Sequence, residues 1–518
     1  MIAVIKNYSK SYFFLLFFTL LYLTVSNLNA QETRKNFALI DKDESLSSII
    51  EKAANVVPSK EQLEWQKLEF IAFLHFGMNT FTDKEWGDGS HNPEIFNPEK
   101  FDARQWIRIL KDAGARLAIL TAKHHDGFCL WPSKYTDYSV KNSSWKNGKG
   151  DVVKDFVNAC NEFGLKVGIY LSPWDRHEKS YGDSPNYNTY FTNQLTELLS
   201  NCGKISEVWF DGACGEGQNG KKQIYDWQSY YKVVRNLQPE ALIFGMAPDI
   251  RWVGTETGFG RETEWSVVPI DLTSLSKEDC NLRHPIDLIY SPKDFTDADL
   301  VSREKLSLSK GLFWYPAETD VSIRPGWFYH EKEDEKVKSP DELTNIYFNS
   351  VGRNGVLLLN VPPNKMGLIS SSDEKNLLSF KNNLNKIFNN NLLSNSQVTT
   401  NFLKKSFRDV FAGENVLNSF AQNDFTTIEF EMPSRKRFNV VMLQEEIQLG
   451  QRIEKFRIDY WNGKEWIECT RGTTIGYKRL IKFPPVNSKK IRIVVEESRM
   501  KSIIKNVGLY SASINSAL

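Results

Sequence analysis

Two adjacent histidines and an aspartate, His124, His125 and Asp126, end the apolar run "LAILTAKHHDGF" just before Gly127. Side chains of these types bind metal ions, relay protons or grip a hydroxyl-rich ligand. Other polar residues stand at comparable places. His75 closes "EFIAFLHFG", Tyr170 and Trp174 lie in "KVGIYLSPW", and Asp211 closes "EVWFDG". An aspartate after a strand can simply cap the next helix, but packing and capping explain poorly why successive apolar runs all end this way. A shared metal is disfavoured, because neighbours on a strand point to opposite faces and the chain has no HExxH or HxH spacing. Neither a metal nor a cofactor is expected.

These residues need elements that bring them to one place. Short apolar runs at 69–77, 116–124, 166–174, 207–212, 241–246, 311–316 and 355–361 read as strands buried on both faces. Between them, Trp106, Ile109, Leu110 and Ala113 share a helical face. So do Val153, Phe156, Val157 and Cys160, and likewise Tyr230, Val233, Val234 and Leu237. Strand and helix alternate, and no GxGxxG follows the first strand. That pattern predicts an α/β fold, a (β/α)8-like TIM-type barrel whose functional groups gather at the C-terminal ends of its strands. An eighth strand is unplaced, with "TEWSVVP" and "DLIYSP" as further candidates within 247–310.

Past the Asn- and Ser-rich stretch 385–401 the period becomes two. Ile428, Phe430 and Met432 alternate with Glu429 and Glu431, and similar triplets occur at Phe456, Ile458 and Tyr460 and at Ile491, Ile493 and Val495. Asn462–Gly463 marks a hairpin turn. The expected organisation is a leader over 1–30, a catalytic barrel over 31–390, and a C-terminal all-β sandwich over 391–518 of discoidin-like or carbohydrate-binding-module-like kind.

Bulk composition narrows the partners. With 518 residues the chain is long for one ordinary core. Its 65 lysines and arginines nearly cancel 64 aspartates and glutamates, for a net charge of +1. No field steers it toward nucleic acid or an acidic lipid surface, and a neutral ligand suits it best. Aromatic residues make up 13%, with 14 tryptophans. Large cores use such rings, and so do sugar clefts, where an indole stacks on the C–H face of a pyranose. Lys6 and Lys10 precede an apolar stretch from Tyr12 to Val25, then small and polar residues to Ala30. This reads as a secretory signal cut before Gln31. Export to the periplasm or cell exterior is expected, with no membrane span left after cleavage, since the stretch is short for spanning. Cys129, Cys160, Cys202, Cys214, Cys280 and Cys469 show no CxxC pairs or zinc spacing and are expected as free thiols.

A glycosidase that retains configuration needs two carboxyl groups about 5–5.5 Å apart, one of them from a different loop than the other. Asp211 is one candidate. Here the blocks "FLHFGMNTFTDKEWGDG" (73–89), "TAKHHDGFCLWPSKYTDYSV" (121–140), "GIYLSPWD" (168–175), "EVWFDGA" (207–213), "RWVGTETG" (251–258), "DVSIRPGWFYH" (320–330) and "RNGVLLLNVPP" (353–363) resemble the α-L-fucosidases of glycoside hydrolase family 29. The resemblance implies a retaining exo-α-L-fucosidase acting on fucosylated glycans, with Asp211 as nucleophile. "RWVGTETG" is similar to the acid/base block of the α-1,3/1,4-preferring branch, which implies Glu256 for that role, with Glu262 and Glu264 of "GRETEW" as rivals. It also implies that His75, Glu85, Trp86, His124 and His125 bind the fucose hydroxyls, and Tyr170 is grouped with them. Imidazoles both donate and accept toward vicinal hydroxyls, while Trp209 or Trp327 offers a wall for the sugar's methyl group. Asp126 is read as a turn residue. The other readings are a fucosidase of broad linkage tolerance (α-1,2, α-1,6 or aryl fucosides) and a non-catalytic protein that binds fucosylated glycans.

Overall fold

Eight parallel strands build the wall that carries these residues. They are β1 (Phe70–Leu74), β2 (Leu117–Lys123), β3 (Lys166–Leu171), β4 (Glu207–Trp209), β5 (Leu242–Phe244), β6 (Arg251–Trp252), β7 (Ala317–Ser322) and β8 (Val356–Asn360). The computed structural model describes residues 35–245, 249–270, 297–400, 403–411 and 426–512. The expected leader at 1–30, the "DLIYSP" segment and Cys280 lie outside the described residues. In space the strands run β5-β4-β3-β2-β1-β8-β7-β6. The wall closes through one parallel bridge between Phe244 and Ile250. β1 and β2 are buried along their whole length, as strands with helices outside and a filled barrel inside must be.

Helices α1 (Ala103–Ala113), α2 (Val152–Phe163), α3 (Ser184–Asn201), α4 (Trp227–Leu237), α5 (Pro340–Asn349) and α6 (Ser371–Phe388) line the wall. The ends of α1 follow local chemistry: the Asp102 carboxylate accepts from the Arg104 and Gln105 amides, and Gly114 closes the helix at φ 102°. The expected apolar faces of α1 and α2 are buried. That of α4 is rotated. Tyr230 and Val234 are buried along with Tyr231, whereas Leu237 is 37% exposed.

Two strand assignments need correction. The run at 311–316 is not a barrel strand. Gly311–Trp314 is the middle of a three-stranded antiparallel sheet, between Phe37–Leu39 and Val267–Ile270 of the "TEWSVVP" region. The barrel position belongs to β7, whose sequence "AETDVS" buries Glu318, Thr319 and Asp320, and to the two-residue β6. Apolar periodicity missed β7 because that side of the barrel interior is polar. The described thiols Cys129, Cys160, Cys202, Cys214 and Cys469 are free.

The C-terminal domain is one antiparallel seven-stranded sheet. Two long strands, Thr427–Glu445 and Arg479–Ser498, pair along their length with register breaks after Glu431 and Phe438; such irregularities bend a sheet. Ile428 and Phe430 before the breaks, Met432 between them and Val441 and Leu443 after them share one core. The hairpin of Ile453–Trp461 and Trp466–Gly472 turns at Gly463, φ 113°. The opposite face presses on the barrel, where Val440, Met442, Leu480 and Tyr510 join the barrel core and Tyr510 meets Phe388 edge-on at 5.1 Å. Among the described residues no helix is long and apolar enough to cross a membrane.

Past β7, the buried Arg324 donates to Asp373 at 3.0 Å, Asp334 at 2.7 Å and Ser370 at 2.9 Å, tying the following loop to the start of α6. Neither Arg324 nor Asp373 meets solvent. Removing one partner of such a pair strands the other charge, at a cost of about 3–5 kcal/mol. Arg324→Met is therefore expected to lower unfolding stability by about that amount in a urea titration, and a variant as stable as the parent would refute the assignment.

Candidate active site

Every residue of the expected site lines one cavity of about 390 Å³ at the C-terminal mouth of the barrel. A second cleft, about 170 Å³, opens at the opposite end beside Trp65, Lys166 and Lys204, and holds none of them.

Asp211 lies two residues past β4, with a quarter of its side chain exposed. Its Oδ1 accepts from the Ala213 amide at 2.8 Å and its Oδ2 from the Tyr170 hydroxyl at 3.1 Å. These two donors fix the carboxylate's orientation toward the cavity. Glu256 enters from the exposed loop after β6. Partial burial raises its pKa; a hydrogen bond from Trp327 opposes this, and the charges of Asp211 and Glu85 add to it. The rival glutamates are engaged elsewhere. Glu264 is buried against Arg251 and Arg261, and Glu262 pairs with Arg479 and Arg353.

The hydrogen-bond partners of the three cavity histidines assign their tautomers. The Asn360 amide nitrogen donates to Ser322 Oγ and the Trp327 carbonyl, so its oxygen faces His75 and accepts from Nδ1 at 2.9 Å. Nε2 of His75 is left an acceptor. The Ser172 hydroxyl donates to the Trp174 carbonyl at 2.6 Å and so accepts from His125 Nδ1 at 2.7 Å. Nε2 of His125 is thus an acceptor too, 3.8 Å from Asp211 Oδ2. Two acceptors at that spacing call for a donor from a ligand. His124 is the opposite case. The Asn79 amide nitrogen, whose oxygen is taken by the Gly87 amide, approaches its Nδ1 at 3.4 Å, so Nε2 carries the proton and donates. Burial lowers the pKa of all three, His75 to about 3, His124 well below its usual value, and His125 against the opposing pull of Asp211. The cavity thus combines acceptors and a donor on neutral rings.

The opposite-face rule does not separate His124 from His125, because β2 ends at Lys123. Both rings turn to the cavity, 4.1 Å apart. Among the described residues no His, Cys, Asp and Glu side chains are grouped to hold a metal ion. Asp126 sits behind them, buried, accepting from the Phe128 amide at 3.0 Å in a local turn. Burial pushes its pKa up to about 7. Beneath the mouth, the buried Lys123 donates to Asp175 at 2.8 Å and to Gln194 at 2.9 Å, while Arg176 donates its amide to the His125 carbonyl at 2.8 Å.

Aromatic rings complete the walls. Trp209 stacks on Phe244 at 4.2 Å and donates to Glu318 at 2.9 Å. Trp86 forms the rim at 60% exposure, edge-on to His125 and Trp174. Glu85 reaches the cavity with its oxygens already taken by the Trp327 and Phe328 amides and by His330.

Sequence reasoning missed the supporting groups. Asn79, Ser172 and Asn360 orient the histidines; Ser172 and Asn360 stand at or just past a strand end, the same signal that marked His75, whereas Asn79 lies in the short helix Met78–Thr82. It also missed the carboxyl pair Glu207–Glu318 inside the barrel. Burial raises both and Glu207's charge raises Glu318 further, so the pair retains a proton. Asp320, which accepts from the Trp252 indole at 2.8 Å, is pushed by burial to about 8, with Glu256 and Asp211 adding to the rise.

A family model described as Alpha-L-fucosidase matches residues 52–387. The chain is 43% identical over 467 residues to Alpha-L-fucosidase 1 of Arabidopsis thaliana, covering 88% of this chain and 87% of that one. A crystal structure from Bacteroides ovatus assigned as an alpha-L-fucosidase superposes with a TM-score of 0.82 at 44% identity, covering 93% and 79% of the two chains. A Ruminococcus gnavus fucosidase of glycoside hydrolase family 29 in complex with fucose gives 0.72 at 32% identity, covering 88% and 95%.

Long-range ¹H–¹⁵N spectra are expected to show Nδ1–H for His75 and His125 and Nε2–H for His124 at pH 7. His75 should stay neutral until the pH nears 3. Because the unfolded chain takes up this proton first, His75's contribution to stability is present above about 6.5 and is lost as pH falls toward its native pKa. An imidazolium signal from His75 at pH 6 would contradict the burial argument.

Proposed function

The chain belongs to the alpha-L-fucosidase family, and from that premise we propose that it is a retaining exo-α-L-fucosidase that removes terminal α-1,3/1,4-linked fucose from glycans by double displacement. The observation that carries this is the meeting of Asp211 and Glu256, 45 positions apart in the chain, on one cavity whose neutral imidazoles suit a polyhydroxylated ligand.

In the first step Asp211 Oδ attacks C1 while Glu256 gives its proton to the departing glycosidic oxygen. In the second, Glu256 removes a proton from water, which attacks C1 and frees Asp211. The electrostatics support this division of labour. Glu256 is raised partly by the charge of Asp211, and that charge disappears when Asp211 is esterified. Glu256 is therefore easier to ionise in the step where a base is needed. The hydroxyls of the bound sugar would face His75, His124 and His125, with its methyl group against Trp209 or Trp327. A donor from the sugar would settle the two facing acceptors, His125 Nε2 and Asp211 Oδ2.

The linkage preference is supported by the two blocks that carry Glu256 and Trp327, "RWVGTETG" and "DVSIRPGW". Export through the N-terminal thirty residues, to the periplasm or the exterior, belongs to the same proposal.

Asp211→Ala is expected to lower turnover by roughly 10³-fold or more with an unchanged fold. Azide should restore activity to Glu256→Ala and yield α-fucosyl azide. In NMR of the first-formed sugar, α-fucose should precede β-fucose; β-fucose first would mean inversion. Linkage-defined oligosaccharides test the preference, and equal rates on α-1,2 and α-1,6 bonds would remove it.

A further inference from the structure

His330 stands outside the cavity, yet both its ring nitrogens face carboxylates. Nδ1 lies 2.5 Å from Asp83 Oδ1 and Nε2 lies 2.7 Å from Glu85 Oε1. A neutral imidazole has one N–H and would set a lone pair against one of these oxygens; the imidazolium donates to both. Glu85 then passes the constraint inward. Its Oε2 accepts from the Trp327 amide at 2.8 Å, and its Oε1 also accepts from the Phe328 amide at 3.1 Å. Residue 326 is glycine, and a Cβ there would stand 2.5 Å from Glu85 Oε1 and 3.1 Å from the His330 ring, so the Glu85 carboxylate would have to leave its place. Asp83 itself adopts the left-handed conformation, φ 55° and ψ 43°, as it ends the short helix Met78–Thr82. Beyond the clamp, Trp327 lines the cavity together with Glu256, its ring 5.1 Å from that of His75.

We propose that His330 is a positioning residue for the hydrolysis: its imidazolium ties Glu85 to the Gly326–Phe328 backbone and thereby holds the Trp327 indole between the sugar pocket and Glu256. This rests on the fucosidase reading, and it adds a residue that touches neither substrate nor reacting atoms. The groups facing His330 set the sign of its pH dependence. Burial lowers its pKa, but Asp83 and Glu85 outweigh burial and the net shift is upward. On its own turn, Glu333 Oε2 is taken by the Gly326 amide and the Glu333 amide donates to the His330 carbonyl. The charges of Lys332 and Lys365 also act on Asp83. The clamp is whole at low pH and loosens as pH rises through the raised His330 value, the reverse of His75. An alkaline fall in kcat/KM follows, in addition to any fall from ionisation of Glu256.

Asp83→Asn separates the two, because Asp83 is not among the groups acting on Glu256. In this variant the His330 titration, followed by ¹H–¹⁵N NMR, and the alkaline limb of kcat/KM should both move down by about one pH unit or more. His330→Ala should lose about 10- to 100-fold in kcat/KM, the scale of a misplaced positioning group, and His330→Gln, which keeps one donor for Glu85, should recover part of it. An alkaline limb that does not move in Asp83→Asn, a His330 proton lost below pH 6.5 in the parent, or His330→Ala within twofold of the parent at every pH overturns the proposal. If no fucoside is cleaved at all, the fucosidase reading falls on that result, while the paired NMR titrations still judge the clamp.

Discussion

Desolvation of three imidazoles governs the character of the cavity. Each ring of His75, His124 and His125 is buried and each has one nitrogen already committed to an amide or hydroxyl of the protein. Burial removes the positive charge, and the committed nitrogen decides whether the other donates or accepts. Charged rings would have drawn Asp211 into ion pairs and neutralised it. Neutral rings leave its carboxylate with the Tyr170 hydroxyl and the Ala213 amide as its hydrogen-bond donors. The Asn360, Asn79 and Ser172 side chains are therefore as much a part of the chemistry as the histidines they orient.

The same economy explains the polar interior on the β7 side. The Trp209 and Trp252 rings need acceptors for their indole N–H groups, and Glu318 and Asp320 supply them from alternate positions of one strand. Carboxyls in such a place cannot all be ionised, and burial holds Glu318 and Asp320 toward the protonated form. The chain accepts unfavourable burial beneath the floor of the cavity in return for acceptors that hold the Trp209 and Trp252 indole N–H groups.

The C-terminal sheet contributes to the same end. The segment that follows Glu256 is held by it: Thr473 and Arg479 donate to the Glu262 carbonyl, and Gln451 donates to the Glu264 carbonyl at 3.0 Å. Asn354, in the turn before β8, binds the Ser266 hydroxyl at 3.1 Å and accepts from the Tyr477 amide at 2.7 Å. Glu262 and Glu264, which compete with Glu256 on sequence grounds, are the residues that anchor its loop to this interface. The arrangement accords with a domain that braces the barrel.

Local pattern determined much of this protein. Continuous apolar runs and a 3.6-residue period identify β1 to β5, β8 and helices α1, α2 and α4, and a period of two identifies the C-terminal strands, because burial on two faces or one leaves a direct imprint on residue order. Polar residues at strand ends pointed to His75, His124, His125 and Asp211 because a barrel gathers those ends at one mouth. What local pattern could not supply is any feature defined by partners distant in the chain. β7 escaped because its inward residues are carboxyls answering indoles on β4 and β6, and "GLFWYP" misled because a strand buried in a side sheet has the same composition as one in a barrel. Which of the glutamates of 256–264 lines the cavity, and which tautomer each histidine takes, follow only from the tertiary structure, since hydrogen-bond partners and desolvation are set by which segments meet in space.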